Sequence, residues 1–177
     1  MTDRPLRLQA IVLLWVFALQ FLLGMLLNLF VKLPDAHPGR TGDEYFSRSW
    51  ASLLWALSFA GGVPLFIHAL TGTVLFVGTT ALFGYALVHR ARGWRWPLGL
   101  AALFAFAAFF NGMSFLDYGE NFSSAIMATT WLGAVASTSF ALVREKNRVS
   151  DLVDARRQSA QDHWPPEQRH RTRNSTR

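Results

Sequence analysis

Four long apolar stretches divide the chain, and they come as runs rather than with the one-sided spacing of a surface helix. Leu8 to Val31 carries no charged residue. An α-helix rises ~1.5 Å per residue, so about 20 residues cross ~30 Å of hydrocarbon. The run therefore predicts a spanning helix. Arg4 and Arg7 precede it, as they would in a secretory signal. It is too long for a signal's apolar region, however, and "FVKLPDAHPG" offers no small-x-small cleavage site, so it reads as uncleaved. Trp50 to Val88 is too long for one crossing. "GGVP" at 61–64 divides it, because Gly61–Gly62 favours a break and Pro64 suits a first helical turn. Pro97 opens a third run and Phe122 a fourth. The pattern predicts an all-α fold, a four-transmembrane-helix bundle with spans at about 8–31, 64–88, 97–116 and 122–143. No internal repeat is present.

The residues before Gly61 predict a separate short helix at about 42–59. "TGDE" at 41–44 has the form of a capping box, Thr41 with Glu44. At 100° per residue, Tyr45, Phe46, Trp50, Leu53, Leu54 and Leu57 fall on one half of the wheel. Ser47, Arg48, Ser52 and Ser58 fall on the other, joined by Trp55 and Phe59. Such a helix suits the headgroup region of the first external loop, with its tryptophans at the interface. A lid packed over the bundle is the alternative.

Charge then sets the orientation. The net charge is +6, a value that could suggest nucleic acid, but its distribution excludes that reading. Charges flank the apolar runs and fill the segment after residue 143. Arg4 and Arg7 precede the first span, Arg90, Arg92 and Arg95 follow the second, and Arg144, Lys146 and Arg148 follow the fourth. The loop after the third span has Asp117 and Glu120 and no Lys or Arg. By the positive-inside rule both termini are cytoplasmic. Residues 144–177 form a basic cytoplasmic tail: a helical extension with Val149, Leu152 and Val153, then a polar segment after "WPP" that reads as disordered. The tail suits attraction to anionic lipid or RNA, or, as a solvated segment, simple reinforcement of topology. With no cysteine in the chain, disulfides, thiolate metal sites and c-type haem attachment are excluded.

Polar residues inside the spans gather at one depth. Asn28, His68, Asn111, Ser114, Ser123 and Ser124 all fall within roughly 10 Å of the outer hydrocarbon boundary, and Met25, Met113 and Met127 share that half. Gln20, Gly24 and Asn28 are spaced four apart. His68, Gly72 and Thr79 follow one stripe, Asn111 and Ser114 share a face, and so do Ser123, Thr130, Ala134 and Ser137. Small and hydrogen-bonding residues belong between helices, so these stripes predict an outward-facing polar chamber around His68. His68 is the one ionisable side chain clearly inside a span, which makes it a functional candidate. The bland reading is a histidine satisfied between helices, with the Asn and Ser residues as interhelical glue worth ~0.6 kcal/mol each. Asp117, Tyr118, Glu120 and Asn121 read as turn residues.

The segment "FNGMSFLDYGENFSSAIMA" at 110–128, with "HPG" at 37–39 and "IHALTG" at 67–72, resembles a family of small bacterial four-helix integral membrane proteins carrying N-G-x-S-F-L followed by S-S-x-I-M-A. The resemblance covers roughly residues 8–143. It implies the fold and topology only, because no activity is established for that family.

Three classes of function fit. The first is a non-enzymatic membrane component, either an accessory subunit or a binder of a lipid or quinone headgroup, with lipid bilayer, further copies or a larger complex as partners. The second is a redox protein holding haem b between helices through His68. Its second axial ligand would be His37, Met25, Met113 or Met127, since His89 lies at the opposite face. Copper(I) on the same imidazole and thioether groups is a variant. The third is a small oligomeric transporter or channel. A hydrolytic trio of Ser114, His68 and Asp117 is a coincidence that any serine-rich chain offers.

Overall fold

A computed structural model describes residues 4–32, 34, 36–40, 44–118 and 121–162. Five α-helices follow one another: α1 (Arg4–Phe30), α2 (Tyr45–Leu57), α3 (Val63–Val88), α4 (Arg95–Tyr118) and α5 (Asn121–Asp162), with a 3-10 turn at Pro38–Arg40 between the first two. No strand occurs among the described residues. α1, α3, α4 and α5 are long and apolar enough to cross a membrane. The chain is thus an all-α, multi-pass bundle of membrane type. It divides into two compact units, Met1–Leu142 and Val143–Arg177. In the second, Arg148 pairs with Glu145 at 3.1 Å, and Val149, Leu152 and Val153 are exposed. The segment after "WPP" lies outside the described residues.

Local chemistry sets the breaks. α2 stops at Leu57, and Phe59 and Gly62 take positive φ values of 63° and 89°. Gly62 adopts that conformation freely, whereas Phe59 bears it with its ring stacked 3.7 Å from Phe66. Pro64 then sits in the first turn of α3, where its missing N–H costs nothing. α4 begins at Arg95, two residues ahead of Pro97, which lies in its first turn. α2 has Glu44 at its N-cap with no side-chain cap bond. The expected partner, Thr41, lies outside the described residues.

The main core fills the end of the bundle where α1 begins and α3 ends. Leu6, Ala10, Leu13, Phe17, Leu75, Leu82, Ala86, Trp94, Leu98 and Ala134 are buried together there. Alanines at contact points let the backbones approach, while Leu8, Val12, Trp15, Leu22 and Leu26 of α1 point outward. α5 joins through large side chains. Trp131 Nε1 donates to the Phe17 carbonyl oxygen at 3.1 Å, and its ring stacks on Phe21 at 5.0 Å.

At the other end α2 packs on α3, α4 and the 3-10 turn. Its buried face is Ser49, Ser52, Leu53 and Ala56, and Tyr45, Phe46, Trp50 and Leu54 are turned outward. Ser52 therefore faces protein, not water. The reason is Asp117, which is no turn residue: it is 2% exposed at the end of α4. Its carboxylate accepts from Ser49 Oγ at 2.8 Å and from Ser52 Oγ. A carboxylate removed from water needs such donors. The 3-10 turn is fastened beside them. His37 stacks on Trp55 at 4.8 Å and donates from Nε2 to the Leu116 carbonyl oxygen at 2.9 Å. Arg48 Nε donates to the Gly39 carbonyl oxygen at 2.9 Å.

Gly39 makes this close seating possible, since a Cβ there would stand 1.6 Å from Ser52 Oγ and 2.9 Å from the Arg48 carbonyl oxygen. Gly39→Val is expected to cost about 1–3 kcal/mol by overpacking and to loosen α2. Thermal unfolding in detergent and amide exchange across 45–57 check this; unchanged protection would remove the turn from the account of how α2 docks.

Candidate functional site

Beneath α2 the four long helices enclose a cavity of about 490 Å³. Glycine and alanine create it: Gly24, Ala69, Gly72, Ala105, Ala108, Gly112 and Ala128 all line it, leaving space where larger side chains would interlock. Along α1 it extends from Phe17 to Val31, a slot of about 21 Å at ~1.5 Å per residue. Its floor is apolar, with Phe17, Leu75, Phe76 and Trp131. Polar groups occur at two levels. Gln20 and His68 sit partway down, and Asn28, His37, Arg40 and Ser124 lie toward the α2 end.

The deeper level is a reciprocal lock between α1 and α3. A Cβ on Gly24 would come 3.2 Å from His68 Cε1, and one on Gly72 would come 3.1 Å from Gln20 Nε2. Each polar side chain thus lies against the glycine one turn from the other. Gln20 Nε2 donates to the His68 carbonyl oxygen at 3.2 Å and stands 3.3 Å from His68 Nε2. Thr71 Oγ1 reaches Gln20 Oε1 and also the Ile67 carbonyl oxygen at 2.8 Å. The carbonyl fixes the amide's orientation, because only the nitrogen side can approach it. Gln20 then offers its second N–H to His68 Nε2, which must carry the lone pair, and the ring proton falls on Nδ1. Nδ1 is buried and has no hydrogen-bond partner among the described residues.

The candidate residues distribute as follows. Asn28, His68, His37, Met25, Met113 and Met127 line the cavity, together with Ser124. Asn111, Ser114 and Ser123 do not. Asn111 Nδ2 donates to the Ala107 carbonyl oxygen of its own helix at 2.8 Å, and Ser114 Oγ pairs with the Tyr45 hydroxyl of α2. On α5 the lining face is Ser124, Met127, Ala128 and Trp131. The Ser123, Thr130 and Ala134 stripe turns away: Thr130 bonds back to the Ile126 carbonyl oxygen at 2.7 Å, and Ala134 enters the core. Thr79 is likewise buried on its own helix, bonded to the Leu75 carbonyl oxygen at 2.6 Å. Ser114, His68 and Asp117 are not a catalytic trio, because Ser114 and Asp117 are engaged with α2 and His68 with Gln20.

As metal or haem ligands the two histidines are constrained. The Nε2 lone pair of His68 accepts from Gln20, and Nε2 of His37 carries a proton donated to Leu116. Among the described residues no group of three or more His, Asp or Glu side chains is placed to hold a metal ion.

Gln20, Thr71 and Arg40 are the site residues that polarity by depth leaves unmarked. The spacing of four in both Gln20–Gly24 and His68–Gly72 is the signal that could have found the lock. No family model, curated protein or solved structure matches the chain.

Gln20→Leu should cost about 1–3 kcal/mol, since it leaves buried groups on α3 unpaired. Replacing both Gln20 and His68 by Leu should cost less than the two single changes together. Unfolding in mixed detergent reads both. Nitrogen-15 spectra of the His68 ring should show the Nδ1–H tautomer in the wild type and a mixture in Gln20→Leu.

Proposed function

We propose that this chain is a non-enzymatic component of a bacterial plasma membrane that holds the head and adjoining chain of a lipid or quinone in the cavity beneath α2. The carrying observation is the cavity itself, apolar along most of its length with a few polar groups at defined levels, the usual composition of a small-molecule site. Its size supports occupancy. At about 490 Å³ it falls in the size range of small-molecule pockets and has room for a hydrocarbon chain. Membership of the small four-helix family that the 110–128 segment resembles belongs to the same proposal.

In this reading both termini are cytoplasmic, following the arginines that flank α1, α3 and α4. α2 is then external. Its inner face closes the bundle, and Tyr45, Phe46, Trp50 and Leu54 lie in the headgroup layer. The basic tail faces anionic lipid. Because the chain has no cysteine, single-cysteine labelling reads topology directly. Ser47→Cys should react with an impermeant maleimide in intact cells and His89→Cys only after permeabilisation. The reverse pattern would overturn the orientation.

Occupancy is tested by extracting the protein into polymer discs and analysing the bound organic fraction by mass spectrometry. One lipid or quinone class should be enriched over the surrounding bilayer, and Ala108→Phe, which adds bulk to the cavity wall, should remove the enrichment. A bound fraction matching the bulk membrane counts against the reading.

A haem reading has one observation in its favour, the presence of His37, His68, Met25, Met113 and Met127 around one cavity. It requires His68 to release Gln20 before its Nε2 can ligate iron. Oxidised and dithionite-reduced absorption spectra of the wild type and His68→Ala decide it. A Soret band lost in the variant would replace the lipid proposal with a redox one.

A further inference from the structure

The cavity's edges say how an occupant gets in. Every lining residue on α3 and α4 is buried or half-buried. The exposed lining residues are Phe21, Met25 and Asn28 of α1, Ala128 of α5 and, at the α2 end, Arg40 of the 3-10 turn. The three on α1 are spaced four and three apart, a single stripe along one side of that helix. At the lower end of this side α1 and α5 are joined, through the Trp131–Phe17 hydrogen bond and the Phe21–Trp131 stack. From there toward α2, no hydrogen bond, ion pair or ring contact links α1 to α5 among the described residues. The gap lies along two helices apolar enough to span a membrane, so it faces lipid rather than water.

Two polar side chains line this side of the cavity. Neither the Asn28 amide nor the Ser124 hydroxyl has a hydrogen bond among the described residues, although both line the cavity. Threonine hydroxyls at 71, 73, 79, 80, 129, 130 and 138 bond to backbone carbonyls, and of the half-buried α5 serines without a bond among the described residues, Ser123, Ser124, Ser137 and Ser139, it is Ser124 that lines the cavity. Polar groups at hydrocarbon depth are normally satisfied inside the protein. An amide and a hydroxyl can both donate as well as accept, and a carbonyl or ester oxygen complements their donors. Both residues lie within one turn of a helix end, at the depth where a lipid's carbonyl region begins. Below them the slot offers only apolar wall and glycine until the Gln20–His68 lock.

We propose that the cavity is a lateral lipid site. A bilayer amphiphile inserts one hydrocarbon chain between α1 and α5, past Met25 and Ala128, and leaves its carbonyl-bearing head against Asn28 and Ser124. The inference rests on the reading of the cavity as an amphiphile site and adds its doorway and its head contacts. Acyl lipids and isoprenoid quinones both supply a hydrocarbon chain next to a carbonyl.

The test reconstitutes the full chain in phosphatidylethanolamine–phosphatidylglycerol vesicles and mixes them with vesicles containing a phosphatidylglycerol that carries a diazirine at its chain end. After illumination, labelled peptides are mapped by mass spectrometry. The inner-wall residues Ala105, Ala108 and Gly112 should be labelled along with the outward residues Leu22 and Leu26. Ala128→Trp and Met25→Trp, which narrow the doorway from opposite sides, should slow inner-wall labelling about tenfold and leave Leu22 and Leu26 unchanged. Asn28→Leu with Ser124→Ala should leave the doorway open and lower the final inner-wall signal severalfold. Competition by unlabelled phosphatidylglycerol or by ubiquinone then tells an acyl from an isoprenoid occupant. Labelling confined to outward residues in the wild type would overturn the amphiphile reading and the doorway together. Inner-wall labelling at the wild-type rate in both tryptophan variants would overturn the doorway alone. An unchanged final signal in the Asn28 and Ser124 variant would overturn the head contacts.

Discussion

A polar side chain inside hydrocarbon has no water to turn to, so it must find its partner within the protein. That constraint fixes how this bundle is assembled. With lipid outside and leucine inside, apolar contact scarcely distinguishes one rotation of a helix from another. The polar pairs do. Gln20, His68 and Thr71 set α1 against α3, Trp131 ties α5 to the Phe17 carbonyl oxygen, and Asp117 draws the serine face of α2 onto the end of α4. In two places glycine lets the packed groups come close. Gly24 and Gly72 do so in the lock, and Gly39 does so beneath α2.

The same small residues leave the bundle unevenly packed. At the end where α1 begins, alanines bring the backbones together and Leu6, Leu13, Phe17, Trp94 and Leu98 fill the space between them. At the α2 end glycine and alanine line the walls in place of larger side chains, and the cavity is what results. It lies between an apolar floor and a docked short helix, with its exposed helical residues on α1 and α5.

His68 changes meaning in this setting. As the sole ionisable group well inside a span it invites a catalytic or ligand role. Its hydrogen bonds give it first a structural one, with Nε2 and its own carbonyl both committed to Gln20. Among the described residues, the cavity-lining side chains without a hydrogen bond at its open side are instead Asn28 and Ser124, which are ordinary residues near helix ends.

Span number, helix breaks and the existence of α2 were legible in the sequence, because run length and the placement of Gly and Pro are local properties of the chain. So was the gathering of Asn28, His68, Met25, Met113 and Met127 in one half of the bundle, since depth follows from counting along a helix. Rotation was not legible. One position around a helix separates Ser124 from Ser123, or the buried Ser52 from an exposed one, and apolar runs carry no periodicity to choose between them. The burial of Asp117, the turning inward of α2's serines and the lock between Gln20 and His68 came from tertiary structure alone. Each joins groups far apart in the chain, and in hydrocarbon it is the pairing of such groups that decides which face of a helix turns inward.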